Sequence, residues 1–163
     1  MSSENYYITW EQYHQQIEQL AHIIHRSGWE FDQILAIARG GLRIGDLFSR
    51  MFRKPLAILS AQSYSGQTQG RLQIAAEITM TQTYLSPRLL IVDDMVDSGR
   101  TLAQIVGYLL AEHSQIQELK TAVIWVKQHT QFQPDYYVEF LAHNPWIHQP
   151  FERYEHWQFE PDC

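Results

Sequence analysis

Two kinds of segment alternate along the chain. Continuous apolar runs of strand length occupy residues 34–38, 56–59, 89–92 and 122–126. Between them, apolar residues recur at helical spacing. One set is Trp10, Tyr13, Ile17, Leu20 and Ile24; a second is Leu42, Leu47, Met51 and Phe52; a third is Leu102, Ile105, Val106, Leu109 and Leu110. Runs without a polar alternate are strands buried on both faces. Thr9-Trp10-Glu11-Gln12 has the form of a capping box, and Ser27-Gly28 marks the end of the helix it opens. Residues 72–80 are expected to be extended, and 136–141 to form a further strand near an edge. Strands alternating with helices predict an α/β layer fold around a mostly parallel central sheet flanked by helices. No linker divides the chain, so residues 1–163 form one domain with its core over about 30–142. The tail, 143–163, is aromatic and proline-punctuated with little regular pattern.

A chain of 163 residues that is 45% hydrophobic and 18% charged suits one folded core. Its formal net charge of -6 disfavours nonspecific nucleic-acid binding, which needs lysines and arginines to neutralise phosphates. The single cysteine, Cys163, rules out an internal disulfide framework and fits a reducing cytosol. The polar N-terminus has no apolar signal region, and no apolar run reaches the length of a membrane span. His14, His22 and His25 fall on or near the outer face of the first helix. Without neighbouring cysteines or acids they make a poor metal set.

The chemistry concentrates in Leu89-Leu90-Ile91-Val92-Asp93-Asp94-Met95-Val96-Asp97-Ser98-Gly99-Arg100-Thr101-Leu102. A buried strand stops at two carboxylates, a polar turn follows, and a helix begins. Open α/β sheets bind ligands at that end of their strands. The turn offers backbone N–H groups, two hydroxyls and the positive end of a helix dipole, which suit a phosphate monoester. The acidic pair suits sugar hydroxyls or a hard cation such as Mg²⁺. An ordinary helix capped by Asp97 or Ser98 explains one polar residue, but not the two carboxylates before it. Arg39-Gly40-Gly41 ends another strand on the same sheet edge, where glycines let the backbone approach an anion. Alone, that triplet is equally a plain strand-to-helix turn. Residues 60–71 are polar and glycine-containing, as in a mobile loop or hairpin tip.

The stretch from Leu89 to Leu102 resembles the phosphoribosyl pyrophosphate (PRPP) motif of type I phosphoribosyltransferases. The resemblance implies that fold, with a small hood built from the termini. It places the 5-phosphate and ribose on Asp93, Asp94, Val96, Asp97, Ser98, Gly99, Arg100 and Thr101. An aspartate at position 97 is the usual residue in members acting on 6-oxopurines, and Asp97 would be the catalytic general base. Arg39, Gly40 and Gly41 resemble the pyrophosphate loop, which often holds a non-proline cis peptide, with Arg39–Gly40 the candidate bond. Arg43-Ile44 departs from the proline common there, and leaves Arg43 without a role. Ser63, Tyr64 and Arg71 resemble the lid loop that closes over PRPP and excludes water. Lys127 resembles the lysine that donates to the purine's exocyclic oxygen, although Gln128 replaces the usual following proline.

The segment from Asn144 to Glu152 is similar to the purine-binding tail, especially that of bacterial xanthine–guanine enzymes. Trp146 would stack on the base, Ile147 would offer backbone groups, and Glu152 would hold a second metal or order the tail. Trp10, Trp29, Trp125 and Trp157 are assigned to packing. Asp93 and Asp94 would hold Mg²⁺, directly or indirectly. The implied activity is transfer of phosphoribosyl from PRPP to hypoxanthine, guanine or xanthine. The implied setting is the cytoplasm, as a homodimer or homotetramer, with no nucleic acid and no membrane span. Two alternatives are a PRPP- or nucleotide-binding regulator on the same fold and a phospho-accepting receiver domain.

Overall fold

The computed structural model describes residues 5–63 and 71–160. In chain order the strands are β1 (Asn5–Tyr7), β2 (Gln33–Ala38), β3 (Leu56–Ser63), β4 (Leu72–Ile74), β5 (Arg88–Val92), β6 (Met95–Val96), β7 (Glu118–Lys127), β8 (Tyr136–Leu141) and β9 (Trp146–His148). The helices are α1 (Trp10–Arg26), α2 (Leu42–Met51) and α3 (Arg100–Glu112), with a 3₁₀ turn at Glu152–His156. The central sheet runs β4-β3-β2-β5-β7, and both β6 and β8 also pair with β7. All its pairings are parallel except the β3–β4 hairpin.

Helix α1 starts as its sequence dictates. Gln12 N–H donates to Thr9 Oγ1 at 3.2 Å, and Thr9 N–H donates to Gln12 Oε1 at 2.9 Å. Tyr13, Ile17, Leu20 and Ile24 then face inward. With Ile44 and Phe48 of α2 they cover Ile34, Ala36, Leu90, Val92, Ala122 and Ile124 on one sheet face. The alternate strand residues Leu35, Ile37, Leu89, Ile91 and Val123 meet Leu102, Ile105 and Leu109 of α3 on the other. This two-sided burial is why the central strands read as unbroken apolar runs.

Several elements differ from the sequence expectation. In α2 the buried stripe is Ile44, Gly45 and Phe48, whereas Met51 is exposed. Gly45 lies so near Ala36 Cβ that α2 closes on β2 through it, which rotates the apolar face away from Met51. Leu110 of α3 is likewise exposed. Only 72–74 of the stretch 72–80 is strand, paired with Ser63, Gln62 and Ala61, so the hairpin claims part of the expected loop. In the tail, β9 pairs in parallel with β1, matching Ile147 to Tyr6. A three-residue strand pairing across the whole chain length carries no local periodicity. Trp125 is fully buried, but Trp157 is exposed against Tyr154. Trp10 is also partly exposed and lies over Phe151.

Candidate active site

The site forms where β2, β5 and β7 end. Parallel strands deliver their carboxyl ends to one edge, so the loops after Ala38, Val92 and Lys127 converge without any contact between them in sequence. At Gly40 an added Cβ would stand 2.6 Å from Asp94 Cγ and 2.8 Å from Asp93 Oδ1. The Arg39-Gly40-Gly41 loop therefore lies directly on the acidic pair, and only glycine allows the approach. Gly41 is equally enclosed by Val92 O and Ile37. The cis peptide falls one bond earlier than expected, at Ala38–Arg39 rather than Arg39–Gly40.

Each carboxylate of the pair accepts the N–H of the residue after it. Asp94 N–H donates to Asp93 Oδ1 at 2.9 Å, and Met95 N–H donates to Asp94 Oδ1 at 2.8 Å. Burial, reinforced by the neighbouring Asp94 charge, pushes Asp93 well above the usual carboxylate range. Burial also raises the Tyr13 hydroxyl, with the acidic pair adding to the effect. Beyond the pair, Gly99 caps α3 at φ 83°, and the first N–H groups of α3 point at the turn. Ser98 and Thr101 line the same cleft as Asp93, Asp97 and Gly99. Val96 is packed in the core beneath α3 and also borders that cleft. Arg100 is exposed on the helix surface.

Lys127 ends β7 with its side chain 8% exposed, and its Nζ stands 3.3 Å from Asp97 Oδ2. The same ammonium lies 6.0 Å from the Trp146 ring centroid. Trp146 is 59% exposed, so its face is free to stack, while Ile147 beside it is buried. A buried cation, an acid and an open aromatic face thus meet at one place. Arg39 reaches toward solvent and pairs with Glu155 at 2.8 Å. Arg43 lies 4.3 Å from the Phe151 ring centroid and 5.6 Å from that of Trp10, which gives the extra cation a packing role on the tail. A cleft of about 380 Å³ runs between Arg39, Arg43, Asp94 and Glu155.

Glu152 does not join the acidic pair. Its carboxylate faces His148 at 3.6 Å, and no group of three His, Cys, Asp or Glu side chains among the described residues is placed to share an ion. Ser63 and Arg71 stand at the two ends of the expected lid; Tyr64 lies outside the described residues. Sequence reasoning missed His129, whose Nε2 is 2.6 Å from Asp97 Oδ1, and Gln149, which donates to Asp94 Oδ2 at 2.6 Å. His129 belongs to no motif, Gln149 lies in the purine-binding-tail segment without an assigned role there, and neither carries a periodic signal.

Acid pair, phosphate turn and glycine loop on the carboxyl edge of a parallel sheet define an α/β protein built for a phosphorylated, hydroxyl-bearing ligand. A family described as the phosphoribosyl transferase domain matches residues 9–156, and the chain belongs to it. A xanthine-guanine phosphoribosyltransferase of Idiomarina loihiensis is 26% identical over 158 residues, covering 96% of this chain and 92% of that protein. One of Chromohalobacter salexigens is 28% identical over 93% of this chain and 89% of that protein. Among solved structures, a purine phosphoribosyltransferase from Pyrococcus horikoshii superposes with a TM-score of 0.75 at 28% identity, covering 98% of this chain and 97% of that one. Family membership removes the receiver-domain alternative.

Proposed function

We propose that this chain transfers the phosphoribosyl group of PRPP to a 6-oxopurine, releasing pyrophosphate and a purine nucleoside 5'-monophosphate. The observation that carries the reading is the Lys127–Asp97 pair at 3.3 Å beneath the open face of Trp146. Trp146 covers one face of the flat base, and Lys127 donates to its exocyclic oxygen. The turn 97–101 binds the 5-phosphate through backbone N–H groups and the hydroxyls of Ser98 and Thr101. Asp93 and Asp94 hold the ribose hydroxyls, and Arg39 with the Gly40-Gly41 backbone receives pyrophosphate.

In the reaction, the bond from ribose C1 to the pyrophosphate oxygen breaks and a bond from the base nitrogen to C1 forms. The bonding pair leaves on pyrophosphate, where Arg39 meets charge that grows toward the transition state. Asp97 accepts the proton that the base loses. Asp93 and Asp94 fit a divalent cation. They are adjacent hard-oxygen donors, Asp93 is held above its ordinary pKa, and neither has a Lys, Arg or His partner among the described residues. Mg²⁺ bound there would supply charge neutralisation for the departing pyrophosphate. Assembly as a homodimer or homotetramer and work in the cytoplasm belong to the same reading.

The test is pyrophosphate release from PRPP with hypoxanthine, guanine, xanthine, adenine and orotate in turn. Turnover with one or more of the first three is expected. Turnover confined to adenine or orotate overturns the base assignment, and binding of PRPP without turnover of any base favours the regulator. Asp97→Asn should cut turnover while sparing PRPP binding.

A further inference from the structure

The segment after β7 has no part in the reaction as described, yet it is docked on the phosphate turn at three points. His129 Nε2 stands 2.6 Å from Asp97 Oδ1. Gln131 N–H donates to Ser98 O at 2.9 Å. Gly99 is pressed so closely that an added Cβ would lie 2.6 Å from Phe132 Cβ and 2.7 Å from Thr130 Oγ1. The segment is also held internally, since Thr130 Oγ1 donates to Phe132 O at 2.9 Å and accepts from Phe132 N–H at 3.1 Å. His129 is thus presented to Asp97 from a braced loop.

We propose that His129 is a positioning residue for Asp97, holding its Oδ1 so that Oδ2 is aimed at the base during proton transfer. The inference rests on the reading of Asp97 as general base. Both oxygens of this carboxylate are engaged, unequally: His129 is at 2.6 Å on one and Lys127 at 3.3 Å on the other. Lys127 has a second task, because the base's exocyclic oxygen competes for its ammonium. When Lys127 turns to that oxygen, Oδ2 is released to take the proton. His129 is then the one described partner left to fix the carboxylate plane. The side chain of Asp97 is 55% exposed, so packing alone does not fix it. The close approach of the His129 ring nitrogen to Oδ1, presented from the braced loop, leaves Oδ2 as the oxygen turned toward Lys127. Proton transfer is sensitive to such aim, because small misplacements lose the productive geometry.

The experiment is steady-state kinetics of His129→Ala, His129→Gln, His129→Asn, Asp97→Asn and the His129→Ala/Asp97→Asn double variant, on the full chain with PRPP and the best base. For His129→Ala, kcat should fall about ten- to hundredfold with KM for PRPP nearly unchanged. His129→Gln, which keeps a donor able to reach Oδ1, should recover most of the loss. His129→Asn is too short to reach and reports the same loss should the alanine variant not fold. In the Asp97→Asn background, His129→Ala should add little further loss. Wild-type kcat in His129→Ala or His129→Asn overturns the proposal, as does additive loss in the double variant. A rise in KM for PRPP that accounts for the whole effect also overturns it, since the loop would then brace only the phosphate turn. Full turnover by Asp97→Asn removes the base assignment itself, and this proposal with it. Impaired Asp97→Asn beside unimpaired His129 variants removes the positioning role alone.

Discussion

Gln149 donates from Nε2 to Asp94 Oδ2 at 2.6 Å, and this bond ties the tail beyond β9 to the acidic pair beyond β5. Gln149 is buried, and its Oε1 has no hydrogen-bond partner among the described residues. The residue is therefore placed by one strong bond to a charged acceptor rather than by a network. Because Trp146 lies three residues earlier, the same bond sets the aromatic face relative to the sugar-binding carboxylates. Gln149→Leu should lower stability by about 1–2 kcal/mol through loss of a charge-assisted bond. That corresponds to a fall of about 2–8 °C in Tm for a chain of this size. KM should rise for PRPP and base together, because one contact serves both halves of the site. Differential scanning fluorimetry and a two-substrate kinetic matrix check both effects. A rise confined to one substrate would break the proposed linkage.

Asp93 makes stability depend on pH in a direction opposite to most carboxylates. Burial and the Asp94 charge raise its folded pKa, so the folded chain binds more protons than the unfolded one from about pH 3.9 up to the folded pKa. The cost of ionising Asp93 in the fold is absent below that pH, grows as pH rises, and is complete above the folded pKa. Asp93→Asn carries no such cost. Without PRPP or divalent cations, its Tm should exceed that of the wild type at neutral pH, and the gap should close as pH falls toward about 4. A gap that is constant with pH, or that widens in acid, contradicts the assignment. The same variant should lose activity, having given up half of the acidic pair.

Glu155 occupies Arg39 at 2.8 Å, with the two side chains 82% and 49% exposed. Exposed pairs of this kind contribute about 0–1 kcal/mol, so the bond matters little for folding. It does compete with pyrophosphate for the same guanidinium. Glu155→Gln should leave Tm unchanged and tighten inhibition by pyrophosphate by up to about fivefold, the equivalent of about 1 kcal/mol. KM for PRPP should fall in parallel. Product-inhibition curves for the two proteins measure the effect, and identical curves would show that Glu155 does not shield Arg39.

What was legible in the sequence, and what was not, divides along physical lines. The apolar runs at 34–38, 89–92 and 122–126 became β2, β5 and β7 because strands buried on both faces need no periodicity to be read. Thr9 and Gln12 were legible because a capping box is local. Asp93-Asp94 and the turn to Thr101 were legible because their chemistry is contiguous. Long-range partners were not: β9 finds β1, Gln149 finds Asp94, and His129 finds Asp97 only through the fold. Met51 and Leu110 show the limit of helical spacing. It names a face, but tertiary packing decides how that face is turned: in α2, Gly45 closes on Ala36 and Met51 is left exposed.

Trp146 offers a test that separates binding from packing. Its ring is mostly exposed, and its described aromatic neighbour, His148, lies edge-on with centroids 6.5 Å apart. The fold therefore gains little from the indole, and Trp146→Ala should leave Tm nearly unchanged. Stacking of a base on an aromatic ring is worth about 1–3 kcal/mol, so KM for the base should rise about 5- to 150-fold. KM for PRPP should stay close to the wild-type value, because the phosphate turn and acidic pair lie on other loops. Trp146→Phe keeps a stacking face and should recover most of the loss. A large fall in Tm with unchanged KM for the base would instead make Trp146 part of the hydrophobic cover over Lys127, and would move the base elsewhere on the sheet edge.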